Sequence, residues 1–273
     1  MLGKLLKYEI KSTGKVMVLL YGALLFLSMI FSVAIGIMAT EFFESIVMSS
    51  DFFASLWSLG FAFLTLFFYA VIIIVSSATF IFSMIRFKNN VLGPEGYLTH
   101  TLPVKTSEII LSRCINSVLW QIISGIAEFA AITLIVAIGG SITGVNFQEL
   151  FEAIPIVFAQ FKEVLGVTGL VLLGILFFVL IINSFLQLFA SMSIGFSFNK
   201  YKVLLSVVVY IAFNWVMSIG FTILTSVMLV FTVRSIESAI IGFLFIYVLI
   251  TSLLSVLYYF ITHYFLSKKL NLQ

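Results

Sequence analysis

Charge is what this sequence has least of. Only 9% of its 273 residues are Asp, Glu, Lys or Arg, against roughly 25% in a soluble domain. Too few polar side chains remain to cover a water-facing surface. A single cysteine, Cys114, excludes an internal disulfide. Three prolines leave few forced breaks. Two histidines, His100 and His263, stand far apart and lack metal-ligand spacing, and Asp51 is the one aspartate. There is no Gly-x-x-x-x-Gly-Lys-Ser/Thr phosphate loop, no His-Glu-x-x-His and no Gly-x-Ser-x-Gly, so these routes to nucleotide binding, zinc hydrolysis and serine hydrolysis are closed. No basic stripe supports nucleic-acid binding. The expectation is a non-enzyme without cofactor or metal.

Apolar mass fills the chain instead. Hydrophobic residues make up 62% of it, and Phe alone occurs 31 times. Charge-free runs cover 16–40, 52–85, 129–148, 164–199, 203–233 and 238–267. A bilayer-spanning helix needs about 20 apolar residues. Extending the third run back past Glu128, these runs predict helices near 16–38, 57–84, 115–138, 166–193, 203–230 and 240–265. The first run is too long for a signal-peptide core, and no clear Ala-x-Ala site follows it. The expected fold is all-α: one polytopic transmembrane domain, 1–273, with six spans.

The sign of the charges gives an orientation. Twelve of the fourteen basic residues fall at both ends of the chain or in alternate loops: Lys4, Lys7, Lys11 and Lys15; Arg86, Lys88, Lys105 and Arg113; Lys200 and Lys202; Lys268 and Lys269. The other loops hold Lys162 and Arg234 beside most of the acids. Basic residues resist translocation, so the expectation is that both termini are cytoplasmic.

Three segments outside the spans carry patterns of their own. In residues 1–15, Leu2, Leu5 and Leu6 repeat at helical spacing among Lys4, Lys7 and Lys11, which predicts an amphipathic helix lying in the membrane interface. The alternative is a short basic flag without structure. Residues 86–113 form the longest loop on the basic side. Gly93, Pro94 and Gly96 punctuate its start and Pro103 its middle. Glu95–Leu102 has room for about two helical turns. After Pro103, Thr106 or Ser107 can cap a helix that carries Glu108 in its first turn and runs into the third span. On the other side, Phe147, Leu150, Phe151 and Ile154 predict a short outer helix that Pro155 should end or kink; residues 41–56 offer a fainter version. The long flanks of the last outer loop leave room for a dip back into the membrane around 214–233.

Glu128 is the one ionisable residue deep in a span. Gln121, Ser124 and Gly125 share its helix face. An ionised carboxylate at a helix centre costs roughly 2.5–3.5 kcal/mol on insertion scales, so this one should face protein or water. It reads either as a polar or proton-binding lining group, or as a protonated acid hydrogen-bonded to a neighbouring helix. Asn183 and Gln187 on the fourth span, and Asn214 on the fifth, are candidate partners, and all of them can hold helices together.

Two stretches, LLKYEIKSTGKVMVLLYGALLFLS at the N-terminus and RFKNNVLGPEGYLTHTLPVKTSEIILSR in the centre, resemble the type-2 family of bacterial ABC transporter permeases, small Gram-positive ones in particular. Gly96, Leu98, Leu102, Pro103, Val104, Ser107, Glu108 and Arg113 stand where that family has a glycine, a short helix closed by proline, and an acid entering the third span. The C-terminal half matches only in span count and charge pattern. The resemblance implies a bacterial plasma-membrane exporter subunit. It implies a coupling helix containing Glu95, Tyr97, Leu98 and Leu102 that docks a separate ATPase subunit, and a second permease copy or homologue beside this one. Two other functions compete: an ion-coupled secondary transporter using Glu128, and a non-transporting membrane protein such as a bacteriocin-immunity factor.

Overall fold

A computed structural model describes residues 2–38, 40, 51–93, 95–96, 101, 103–143, 147–231 and 236–269. Among them lie six helices long and apolar enough to cross a membrane. They are α1 (Leu2–Met38), α2 (Asp51–Phe87), α3 (Thr106–Thr143), α4 (Phe147–Phe196), α5 (Lys202–Phe231) and α6 (Ile236–Lys268). The chain is an all-α, multi-pass membrane protein, as its charge-free runs imply.

The helix ends differ from the expected ones for local reasons. The interfacial helix expected over 1–15 and the span expected over 16–38 form one continuous helix of 37 residues. Its length is about 55 Å, against a hydrocarbon core of about 30 Å. The Ser12-Thr13-Gly14 stretch does not interrupt it because that stretch is held in packing. Thr13 is buried and accepts a hydrogen bond from Trp120 Nε1 at 2.7 Å, and a Cβ on Gly14 would stand 3.6 Å from the Trp120 ring.

Helix α2 also outruns its expected end. It continues through Phe87 into a π-helical turn, Lys88–Leu92, and stops at the extended backbone of Gly93. Phe87, Val91 and Leu92 are buried there, and Phe87 stacks on Phe189 with centroids 4.0 Å apart. Helix α3 begins at Thr106, not after a Thr106 cap. The residue before it, Lys105, donates its backbone N–H to Glu108 Oε2 at 3.3 Å, one half of a capping box. As the sequence implies, the same helix runs on into the span.

Pro155 does not end the outer helix. Helix α4 passes through it, and the break comes at Gly166, with φ 64° and ψ 176°. That backbone region is open essentially to glycine alone, whereas at Pro155 the backbone stays helical although the proline has no N–H to give. Helix α5 runs unbroken to Phe231. Tyr97, Leu98 and Leu102 of the expected coupling helix lie outside the described residues, as do the loop residues 41–50 and 232–235.

The chain forms two compact units. One comprises Lys11–Ile81 and Leu119–Val157. Here α1 and α3 approach closely through small residues: Ser32 Oγ donates to the carbonyls of Leu134 and Ile135 at 3.2 and 2.9 Å, and a Cβ on Gly139 would stand 3.5 Å from the Ser32 carbonyl. Phe31 packs on Phe67 and Phe68 of α2. The other unit comprises Met1–Ile10, Phe82–Val118 and Phe158–Gln273. Its core holds Phe87, Phe185 and Phe189, and Phe213 of α5 rests on Tyr258 of α6.

Candidate functional site

In the second of these units, the first turns of α1 meet both ends of the segment between α2 and α3. Glu9 pairs with Arg113, near the start of α3, and lies 3.7 Å from Arg86 Nη2 in the last turn of α2. The side chains of Glu9 and Arg113 are 13% and 9% exposed. Burial works against the Arg113 charge, the carboxylates of Glu9 and Glu95 work for it, and Arg86 works against it. Glu95 itself is exposed in a turn closed by Gly96 N–H donating to the Gly93 carbonyl at 2.8 Å. One acid on α1 thus bridges the two bases that flank residues 88–105. Of the four residues expected to couple to an ATPase, Glu95 is electrostatically linked to this cluster. Tyr97, Leu98 and Leu102 lie outside the described residues.

Sequence reading did not find this cluster. Arg86 and Arg113 served there as markers of orientation, and Glu9 sits inside a lysine-rich amphipathic pattern. The available signal was that Glu9 is the lone acid among the basic residues of the first fifteen positions.

The other unit contains a run of polar groups at membrane depth. Ser124 Oγ donates to Glu128 Oε1 at 2.7 Å. The Thr79 hydroxyl lies 3.0 Å from the Val75 carbonyl, 3.2 Å from the Tyr21 hydroxyl and 3.4 Å from Ser124 Oγ. A hydroxyl has one proton to give and can also accept, so the Val75 carbonyl and Ser124 Oγ are alternatives for the Thr79 proton, while in the contact with Tyr21 either oxygen can be the donor. Tyr21 also reaches the Trp120 carbonyl at 2.9 Å. One turn along from Thr79, Gln121 Nε2 donates to Ser76 Oγ at 3.2 Å, while its buried Oε1 has no hydrogen-bond partner. Helices α1, α2 and α3 are therefore tied by side-chain hydrogen bonds, with Glu128 at the half-buried edge. No group of three or more metal-ligating side chains occurs among the described residues.

Glu128 takes its hydrogen bond from its own helix, one turn back. Its expected partners, Asn183, Gln187 and Asn214, belong to the other unit. The buried Asn183 Oδ1 accepts from Ser255 Oγ at 3.1 Å. Asn214 donates to the Tyr210 carbonyl of its own helix at 2.8 Å and is exposed. Gln187 is buried, 4% exposed, and its Nε2 has no hydrogen-bond partner. An unpaired buried amide destabilises a fold by about 1–3 kcal/mol. Gln187→Met, of similar volume, is therefore expected to leave the melting temperature of the detergent-purified protein unchanged or raised. A drop of several degrees would show that the amide has a partner.

Searches against known protein families, curated proteins and solved structures return no match.

Proposed function

We propose that the chain is the membrane-spanning permease subunit of an ATP-driven exporter. In this reading it docks a separate ATPase on the side that holds both termini, the cytoplasmic side of a bacterial plasma membrane. The observation that carries it is the Glu9–Arg86–Arg113 cluster. The segment that resembles a coupling loop is tied at both of its ends to the start of α1. A docked ATPase acts on this segment, and a force applied there reaches α1, α2 and α3 through one buried carboxylate.

The test is made on the segment itself. In the sequence, the apolar Tyr97 and Leu98 fall between Gly96 and Pro103, in the stretch that resembles a coupling helix, and apolar side chains in such a connecting segment call for a partner. Truncating anchors of this kind costs about 1–2 kcal/mol or more each. Tyr97→Ala with Leu98→Ala is expected to weaken co-purification of an ATPase encoded beside the gene by more than tenfold and to abolish ATP-dependent export, while the chain stays inserted. Unchanged ATPase binding and export in that double variant would sink the proposal.

The hydrogen-bonded run ending at Glu128 favours a second reading, an ion-coupled transporter. Export by the chain alone in proteoliposomes, driven by a proton gradient without any ATPase, would select it.

A further inference from the structure

Four side chains of one compact unit stand in hydrogen-bond contact in series: Tyr21 on α1, Thr79 on α2, then Ser124 and Glu128 on α3. From Tyr21 to Glu128 the separations are 3.2, 3.4 and 2.7 Å. Two backbone carbonyls open onto this run from the side. That of Trp120 lies 2.9 Å from the Tyr21 hydroxyl, and that of Val75 lies 3.0 Å from the Thr79 hydroxyl. Tyr21, Thr79 and Ser124 are buried, so their protons depend on acceptors within the protein.

A count of protons gives the run two aligned settings. Each hydroxyl gives one proton and can also accept, a carboxylate only accepts, and a carboxylic acid gives one proton. With Glu128 ionised, every proton points toward it: Tyr21 donates to Thr79, Thr79 to Ser124, and Ser124 to Glu128 Oε1. With Glu128 protonated, the direction reverses: Glu128 donates to Ser124 and Ser124 to Thr79. The Thr79 proton then turns to the Val75 carbonyl, and the Tyr21 proton to the Trp120 carbonyl. Both settings use contacts already in place, so no heavy atom has to move. Other pairings of these protons exist, but bonds aligned in series polarise and strengthen one another.

The charges around Glu128 leave the choice between settings to a proton. Among the described residues no ion pair reaches it. Tyr21 of α1 is the titratable group that faces it. Helix α2 meets the run with the uncharged Thr79, and α3 with the uncharged Ser124. Glu128 is itself half-buried, which leaves it open to proton exchange at the edge of the run.

We propose that Glu128 is a reversible proton-binding site whose occupancy is relayed through Ser124 and Thr79 to Tyr21. A bound proton moves the Tyr21 hydrogen bond from a side chain of α2 to the backbone of α3. It therefore changes which neighbour α1 is tied to at this depth. The inference goes beyond the transport readings above: it concerns where a proton binds and what it turns, not whether a proton crosses or an ATPase docks.

The test uses the full chain in proteoliposomes. Infrared difference spectra are taken as the pH is stepped from about 9 to about 4, a range that covers glutamates from fully buried to exposed. The unmodified chain is expected to gain a carboxylic C=O band that Glu128→Gln lacks. In step with it, the phenol C–O band that Tyr21→Phe removes should shift as its hydroxyl changes acceptor. Ser124→Ala and Thr79→Val interrupt the run on two different helices. Each should keep the Glu128 band and lose the Tyr21 shift, and either one carries the test if the other fails to fold. The proposal is overturned if no Glu128-dependent band appears anywhere in the range. It is equally overturned if the Tyr21 band stays fixed while Glu128 titrates, or if its shift survives in either interrupted variant.

Discussion

Glu9→Ala is expected to destabilise the protein by about 3 kcal/mol, the scale for removing one partner of a buried ion pair. The reason is the company Glu9 keeps. Without its carboxylate, the guanidinium of Arg113 loses the ion pair it makes on α1, and Arg86 remains beside it as a like charge. Thermal unfolding of the purified protein in detergent measures the loss. Replacing the pair together, Glu9→Leu with Arg113→Met, should recover most of it, because a well-packed apolar pair avoids the desolvation that the ions suffer. The recovered variant then separates two roles. If the cluster also transmits force from the coupling segment, the double variant is stable, binds an ATPase and exports poorly. A Glu9→Ala protein as stable as the unmodified one would show that the pair contributes nothing.

Gly195→Ala is expected to cost as much by a different route. A Cβ at position 195 would lie 2.5 Å from the backbone nitrogen of Ser206 and 2.7 Å from its Cα. Backbone atoms cannot swing aside as the end of a side chain can. The end of α4 and the start of α5 would have to separate, with Tyr201 at φ 56° already holding the short connection in a left-handed turn. Overpacking of this kind falls at the upper end of about 1–3 kcal/mol. Gly22→Ala is the matched control: nothing lies within 4 Å of its missing Cβ, and the gain in helix propensity is up to about 1 kcal/mol. Comparing melting temperatures of the two alanine variants distinguishes steric contact from propensity. Equal shifts would mean that α4 and α5 are not packed this closely at Gly195.

The spans were legible where charge bounded them. The fifth, expected over 203–230, is Lys202–Phe231, because Lys202 and Arg234 mark its limits in the sequence. Ends set by packing were not legible. Nothing in the Thr13-Gly14 dipeptide announces that Trp120, far along the chain, will hold it in a helix. The extension of α2 past Arg86 rests on Phe87 finding Phe189, which is again a tertiary fact. In the membrane-depth run, Ser124 and Glu128 could be paired from their spacing of four on one helix. Tyr21 and Thr79 could not, since a hydroxyl near an apolar span is common and only the fold says which ones meet. Glu9 was hidden for a related reason: a salt bridge between distant segments has no period to detect.

Gly166 imposes a rule on how this sequence can drift. Its backbone angles exclude side chains, so every single-base change that alters the residue meets the same barrier, whatever the new side chain's polarity or size. Pro155 is under no such rule, because the helix that contains it would be at least as regular with another residue there. A collection of variants selected only for folding should therefore stay invariant at 166 and scatter at 155. The position that looks structurally commanding in the text of the sequence is the replaceable one, and the unremarked glycine is the fixed point.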